Sequence, residues 1–169
     1  MARRIRLDVN GETRRVEVED GEPLLYVLRN QLELNGPRFG CGLAQCGSCA
    51  VLIDGVAMRS CVLPATAVDS KRVTTLEGLG TAANPSPVQQ AFIDEQAMQC
   101  GYCSNGMIIA ATALLETNPK PSRSDVVEAL DGTLCRCGSH NRVVRAVLRA
   151  AQRAIERLDD VAAARLGIR

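Results

Sequence analysis

Eight cysteines in 169 residues constrain this chain more than any other feature of it. Three stand in the run Cys41-Gly42-Leu43-Ala44-Gln45-Cys46-Gly47-Ser48-Cys49, a C-x4-C-x2-C spacing that wraps thiolates around a two-iron cluster. Such a loop needs a fourth sulfur from further along, and Cys61 supplies it. The rest fall in Cys100-Gly101-Tyr102-Cys103 and Cys135-Arg136-Cys137, so the cysteines divide into two groups of four, one in each half of the chain. The expectation is two iron-sulfur centres, one on Cys41, Cys46, Cys49 and Cys61 and the other on Cys100, Cys103, Cys135 and Cys137.

The flanking sequence explains how Cys61 would return to the loop. Residues 50–53 are apolar, Asp54-Gly55 is a turn pair, and residues 56–60 follow. If Asp54-Gly55 is a two-residue hairpin turn, Ile53 faces Val56 and the pairing runs back until Cys49 lies opposite Ser60, next to Cys61. Upstream, residues 4–9 and 15–19 alternate charged and apolar side chains around Asn10-Gly11, which predicts another hairpin. Pro23, at a first helical position, opens a helix carrying Leu24, Leu25, Val27, Leu28 and Leu32 onto that sheet. Residues 73–75 add a last strand. Gly40, Gly42 and Gly47 let the loop take positive dihedrals and bring amide N–H groups close to sulfur. The result is a ferredoxin-like β-grasp domain over residues 1–76.

The residues at 77–87 are rich in small residues and proline and read as a linker. Beyond it, over residues 88–169, the periodicity is helical. Val88, Ala91 and Phe92 form one stripe; residues 106–115 are apolar nearly all round, as in a buried helix. Ser122 or Ser124 caps a further short helix ending at Asp131-Gly132. From Asn141 a last helix places Val144, Val147, Leu148, Ala151, Ala154, Ile155 and Leu158 on one face. Arg142, Arg145, Arg149, Arg153 and Arg157 line the other, and the expectation for them is a solvated surface. Both cysteine pairs of the second set would precede helices, whose N-terminal N–H groups favour thiolate. His140, the single histidine, reads as a cap or surface contact.

A net charge of +1, no Trp, two Tyr and two Phe provide neither a basic patch nor a stacking platform, so no nucleic-acid partner is expected. Arg3-Arg4 has no signal-length apolar stretch behind it, and no run of about 18 apolar residues spans a bilayer. Localisation is expected to be cytoplasmic, or exported already folded beside a partner that bears the signal. A reducing compartment keeps thiols free for metal and disfavours disulfides. A C-x2-C pair followed by a C-x-C pair suits zinc as readily as iron. A zinc-stabilised structural or interaction module without redox role is therefore the alternative.

Taken in order, Cys41-x4-Cys46-Gly47-x-Cys49, Val73-Thr74-Thr75-Leu76-Glu77-Gly78, Gln99-Cys100-Gly101-Tyr102-Cys103 and Leu134-Cys135-Arg136-Cys137 resemble the small iron-sulfur subunit of the xanthine oxidase family of molybdenum hydroxylases. The resemblance covers nearly the whole chain. It implies an α+β protein, the β-grasp domain followed by a C-terminal four-helix bundle, each holding a 2Fe-2S cluster. It also implies a large partner subunit carrying molybdopterin, commonly as the cytosine dinucleotide, where substrate is hydroxylated. By the same resemblance the cluster on Cys100, Cys103, Cys135 and Cys137 lies nearest the pterin, which Gln99 hydrogen-bonds and Cys137 approaches, and the other cluster lies outward. No catalytic residue is expected on this chain. The family's usual Thr-Pro-Gly is Ser104-Asn105-Gly106 here, and its usual Thr-Gly-Tyr is Gly138-Ser139-His140. The second change resembles the branch typified by isoquinoline oxidoreductase and nicotinate dehydrogenase, where the acceptor can be a cytochrome instead of a flavin subunit.

Overall fold

The computed structural model describes residues 2–165, with side chains through residue 156. The chain opens with strands β1 (Arg3–Val9) and β2 (Glu12–Val18), paired antiparallel with Val9 opposite Glu12. Asn10 and Gly11 both sit at positive φ, as the tight turn between them requires. Strands β3 (Ala50–Ile53) and β4 (Val56–Arg59) form the second hairpin, with Ile53 opposite Val56. Strand β5 (Arg72–Thr74) lies parallel to β1 and antiparallel to β3, completing a mixed sheet in the order β2-β1-β5-β3-β4.

One face of this sheet is closed by the segment after Pro23, though not as the single helix expected. Pro23 is the N-cap, one residue earlier in the helix than predicted. Helix α1 (Leu24–Tyr26) passes into a π-helical turn over Val27–Gln31, closed by Leu32 N–H on the Val27 carbonyl. Val27 and Leu28 enter the sheet core with Leu7, Val16, Val51 and Val73, while Leu25 turns the other way onto Cys49 and Cys61. The first N–H groups of α1 have no partner within their own helix. Leu24 N–H takes the Leu63 carbonyl at 2.8 Å and Leu25 N–H takes the Ser60 carbonyl at 3.0 Å, which clamps the segment containing Cys61.

The second half is helical: α2 (Leu76–Leu79), α3 (Pro87–Asp94), α4 (Ser104–Thr117), α5 (Arg123–Leu130) and α6 (His140–Arg165). The stretch read as a linker thus holds most of a helical turn, and Leu76 and Leu79 pack on the helical core. Reciprocal side-chain caps open α3 at Ser86 with Gln89 and α5 at Ser122 with Asp125, so Ser122 and not Ser124 is the cap. Phe92, Met107, Val126, Val143 and Val147 centre the helical core.

Strand β3 lies between the two cores. Val51 and Ile53 face the sheet core, and Ala50 and Leu52 face Ile109 of α4, so all four residues of the strand are buried. Burial on both faces explains why this strand reads as a continuous apolar run.

The arginine face of α6 is exposed at Arg142, Arg145 and Arg149, as expected, but its side chains have partners on α3. Arg145 and Arg149 pair with Glu95 at 3.2 and 2.8 Å, Arg149 and Arg153 pair with Asp94, and Arg142 donates to the Gln96 carbonyl. These side chains hold the end of α3 against α6, a pairing of segments about fifty residues apart. The Arg157 and Leu158 side chains lie outside the described residues. Among the described residues no helix is long and apolar enough to cross a membrane.

Candidate metal centres

The structure brings the cysteines together in pairs, two pairs in each half of the chain. In the first, Cys41 Sγ accepts from the N–H groups of Leu43, Gln45 and Cys46, each at 3.3 Å, and Cys46 Sγ accepts from Cys41 N–H at 3.4 Å. Leu43 N–H and then Cys46 N–H bring the Cys41 thiol down to about 7, against burial. Cys49 and Cys61 meet as a second pair, with Ser60 donating Oγ–H to the Cys49 carbonyl at 2.6 Å, as the hairpin register demands. Burial pushes Cys49 up to about 11, and the neighbouring Cys61 thiol adds to the shift.

The loop glycines act in two ways. Gly42 and Gly47 hold positive φ. Gly40 does not; it is there because a Cβ would stand 2.5 Å from Cys46 Sγ.

In the second set Cys100 is within hydrogen-bonding reach of Cys137, and Cys103 of Cys135. Cys103 is the N-cap of α4 and makes no capping bond, so its sulfur is free for other use. Burial pushes Cys103 up to about 12, with Cys135 beside it adding to the rise. Cys135 behaves oppositely: burial raises it, but the Ser139 hydroxyl and N–H lead the groups that bring it down to about 6. The Tyr102 N–H, then the Cys137 side chain, lower Cys100, which is exposed. His140 is the first residue of α6 and holds the Thr133 carbonyl at 3.2 Å, the contact expected of it. Gln99 lies exposed in the loop between α3 and α4, five residues beyond the end of α3.

The thiols therefore meet in pairs: Cys41 with Cys46, Cys49 with Cys61, Cys100 with Cys137, and Cys103 with Cys135. Burial of Cys49 and Cys103 disfavours the free thiolate, and a coordinating metal would supply the cation that offsets it. Among the described residues no three His, Cys, Asp or Glu side chains converge as a single metal ion requires. A two-by-two arrangement suits a two-iron centre, in which each iron takes two thiolates. The residues fit the cofactor.

The sets are neighbours. Leu134 donates its N–H to the Cys46 carbonyl at 3.0 Å, Arg59 Nη2 donates to the Gly132 carbonyl at 2.7 Å, and Tyr102 donates its hydroxyl hydrogen to the Phe39 carbonyl. Buried Asn105 bridges to the Ser48 and Ala50 carbonyls. None of these contacts is visible from cysteine spacing. In the sequence Asn105 stands out only within Ser104-Asn105-Gly106, where the family's usual sequence is Thr-Pro-Gly.

Residues 7–76 match the family model described as 2Fe-2S iron-sulfur cluster binding domain, and residues 75–148 match that of the 2Fe-2S binding domain. A nicotinate dehydrogenase subunit of Pseudomonas putida is 57% identical over 148 residues, covering 88% of this chain and 94% of that one. The chain belongs to the iron-sulfur subunits of the xanthine oxidase family of molybdenum hydroxylases. The alpha subunit of isoquinoline 1-oxidoreductase of Brevundimonas diminuta is 50% identical over 147 residues, covering 86% of this chain and 96% of its own length. The structure of quinoline 2-oxidoreductase from Pseudomonas putida superposes with a TM-score of 0.87 at 36% identity, covering 92% of this chain and 97% of that one. As a member of this family the chain is an electron-transfer subunit of a molybdenum hydroxylase, and its fold is α+β. The zinc-scaffold alternative has no support from these relatives.

Proposed function

We propose that the chain carries two 2Fe-2S clusters, an outer one on Cys41, Cys46, Cys49 and Cys61 and an inner one on Cys100, Cys103, Cys135 and Cys137. The clusters supply one-electron storage; the protein holds them at a fixed separation and shields them. The observation that carries this reading is the pairing of the thiols, two pairs in each set, one pair for each iron. Analysis of iron and acid-labile sulfide in the purified native complex tests it. About four of each per chain are expected, at two per site; about two would remove one of the centres.

Electrons would enter from molybdopterin, as the cytosine dinucleotide, on a large partner subunit, and leave to a flavin, a cytochrome or another acceptor. Gln99 and Cys137 would face the pterin, a role supported by the exposure of Gln99 and Cys100 beside a half-exposed Cys137. The two separate hydrophobic cores support a division into a β-grasp domain over residues 1–76, a linker over 77–87 and a four-helix bundle over 88–169. The names of the relatives, which act on nicotinate, isoquinoline and quinoline, point to an N-heteroaromatic substrate bound on the partner chain. Eight cysteines used as cluster ligands would suit assembly in a reducing compartment, with any export following folding.

A further inference from the structure

Strand β5 pairs with β3 only at Leu52 and Ile53. Alternate residues of a strand turn their backbone groups to the same edge, so the Ala50 carbonyl lies on that edge beyond the end of β5, while the Ser48 carbonyl, in the turn before β3, also accepts from Arg38 N–H at 3.0 Å. Asn105, the second residue of α4, covers them. Its Nδ2 donates to the Ser48 carbonyl at 2.8 Å and to the Ala50 carbonyl at 2.9 Å, and the residue between those two is Cys49. Asn105 is 1% exposed and its Oδ1 has no partner among the described residues. At the next residue, Gly106, a Cβ would overlap the Gly47 carbonyl oxygen, so the backbone of α4 is in direct contact with the cluster loop. Two residues before Asn105 is Cys103.

Resting on the cluster assignment above, we propose that Asn105 is a positioning residue for electron transfer between the two clusters. It takes the place of a strand partner at Ala50, adds a second donor at Ser48, and so locks Cys103 of the inner set to Cys49 of the outer one. The step concerned moves one electron, the inner cluster being oxidised and the outer reduced, with no bond made or broken and no proton transferred. An amide that served stability alone would leave the spacing of the clusters unchanged when removed. Asn105 instead fixes that spacing, because both of its bonds fall on the backbone flanking a thiol.

The test is Asn105→Ala in the complete complex, with Asn105→Ser, which retains one donor, as the second variant should the first fail to accumulate. The readouts are iron content, the magnetic splitting between the clusters in the fully reduced complex, and the rate at which the outer cluster is reduced after substrate is added. Iron content should hold, the splitting should change, and reduction of the outer cluster should slow several-fold. An unchanged splitting and rate, with only a lower melting temperature, overturns the proposal. A wild-type complex without two cluster signals overturns the cluster assignment and this inference together.

Discussion

Leu134 donates its backbone N–H to the carbonyl oxygen of Cys46 across 3.0 Å, joining the neighbour of Cys135 in one thiol set to a member of the other. This is one of several hydrogen bonds between the two halves, beside those of Arg59, Tyr102 and Asn105. Replacing Leu134 with proline deletes the donor. The expected loss is about 1 kcal/mol or more, read as bleaching of the visible cluster absorption at a lower temperature on heating.

Gly47 carries two constraints at once. Its φ is +78°, and a Cβ there would lie 2.7 Å from both the Gly132 carbonyl oxygen and Thr133 Oγ1. Gly101 and Gly138 have similar φ values of +75° and +71° but nothing within 4 Å of the position a Cβ would take. Alanine at Gly101 or Gly138 should therefore cost only the dihedral penalty, about 1–2 kcal/mol. Alanine at Gly47 should cost more, because backbone of the facing segment must also move. Side-by-side thermal unfolding of the three variants checks the order.

How much of this is legible in the sequence depends on the range of the interaction. Cys61 can be placed beside Cys49 because the Asp54-Gly55 turn fixes the β3-β4 register locally, and Ser122 can be offered as a cap because capping is a matter of three residues. The arginines of α6 are legible as a stripe but not as partners of Asp94 and Glu95, since nothing in the periodicity of one helix says which other helix packs against it. Asn105 is visible only as a polar interruption. Its acceptor Ala50 is set by where β5 stops, and its acceptor Ser48 by the turn that enters β3, both properties of the folded chain. The π-turn after α1 is not legible because apolar residues at 24, 25, 27 and 28 suit an ordinary helix equally well, and nothing in their spacing says that Leu25 and Val27 are buried on different neighbours.

The α3-α6 clamp carries a pH signature. Gln90 and Arg153 hold the Asp94 carboxyl below its ordinary range, and Arg149 with Arg145 does the same for Glu95. A carboxyl depressed in the folded state stabilises fully above its unfolded pKa of about 4, and that stabilisation is lost as pH falls through the folded value. Melting temperature should therefore drop on acidification below about pH 4.5. The drop should be shallower in the double variant Asp94→Asn with Glu95→Gln. Raising salt at neutral pH should narrow the gap between that variant and the parent, since these pairs are partly exposed.

Cys137→Ser separates the two sets. The inner cluster should be lost and the outer one retained, taking iron from about four to about two per chain, and turnover of the complex with external acceptors should stop. Normal turnover with an unchanged cluster spectrum would remove Cys137 from the ligand set.

Electron paramagnetic resonance of the dithionite-reduced native complex tests the central claim most directly. Two distinct 2Fe-2S signals of equal intensity, each integrating to about one spin per chain at one cluster per thiol set, are the predicted result. A single such signal, or a silent spectrum from a complex otherwise intact, would contradict the account.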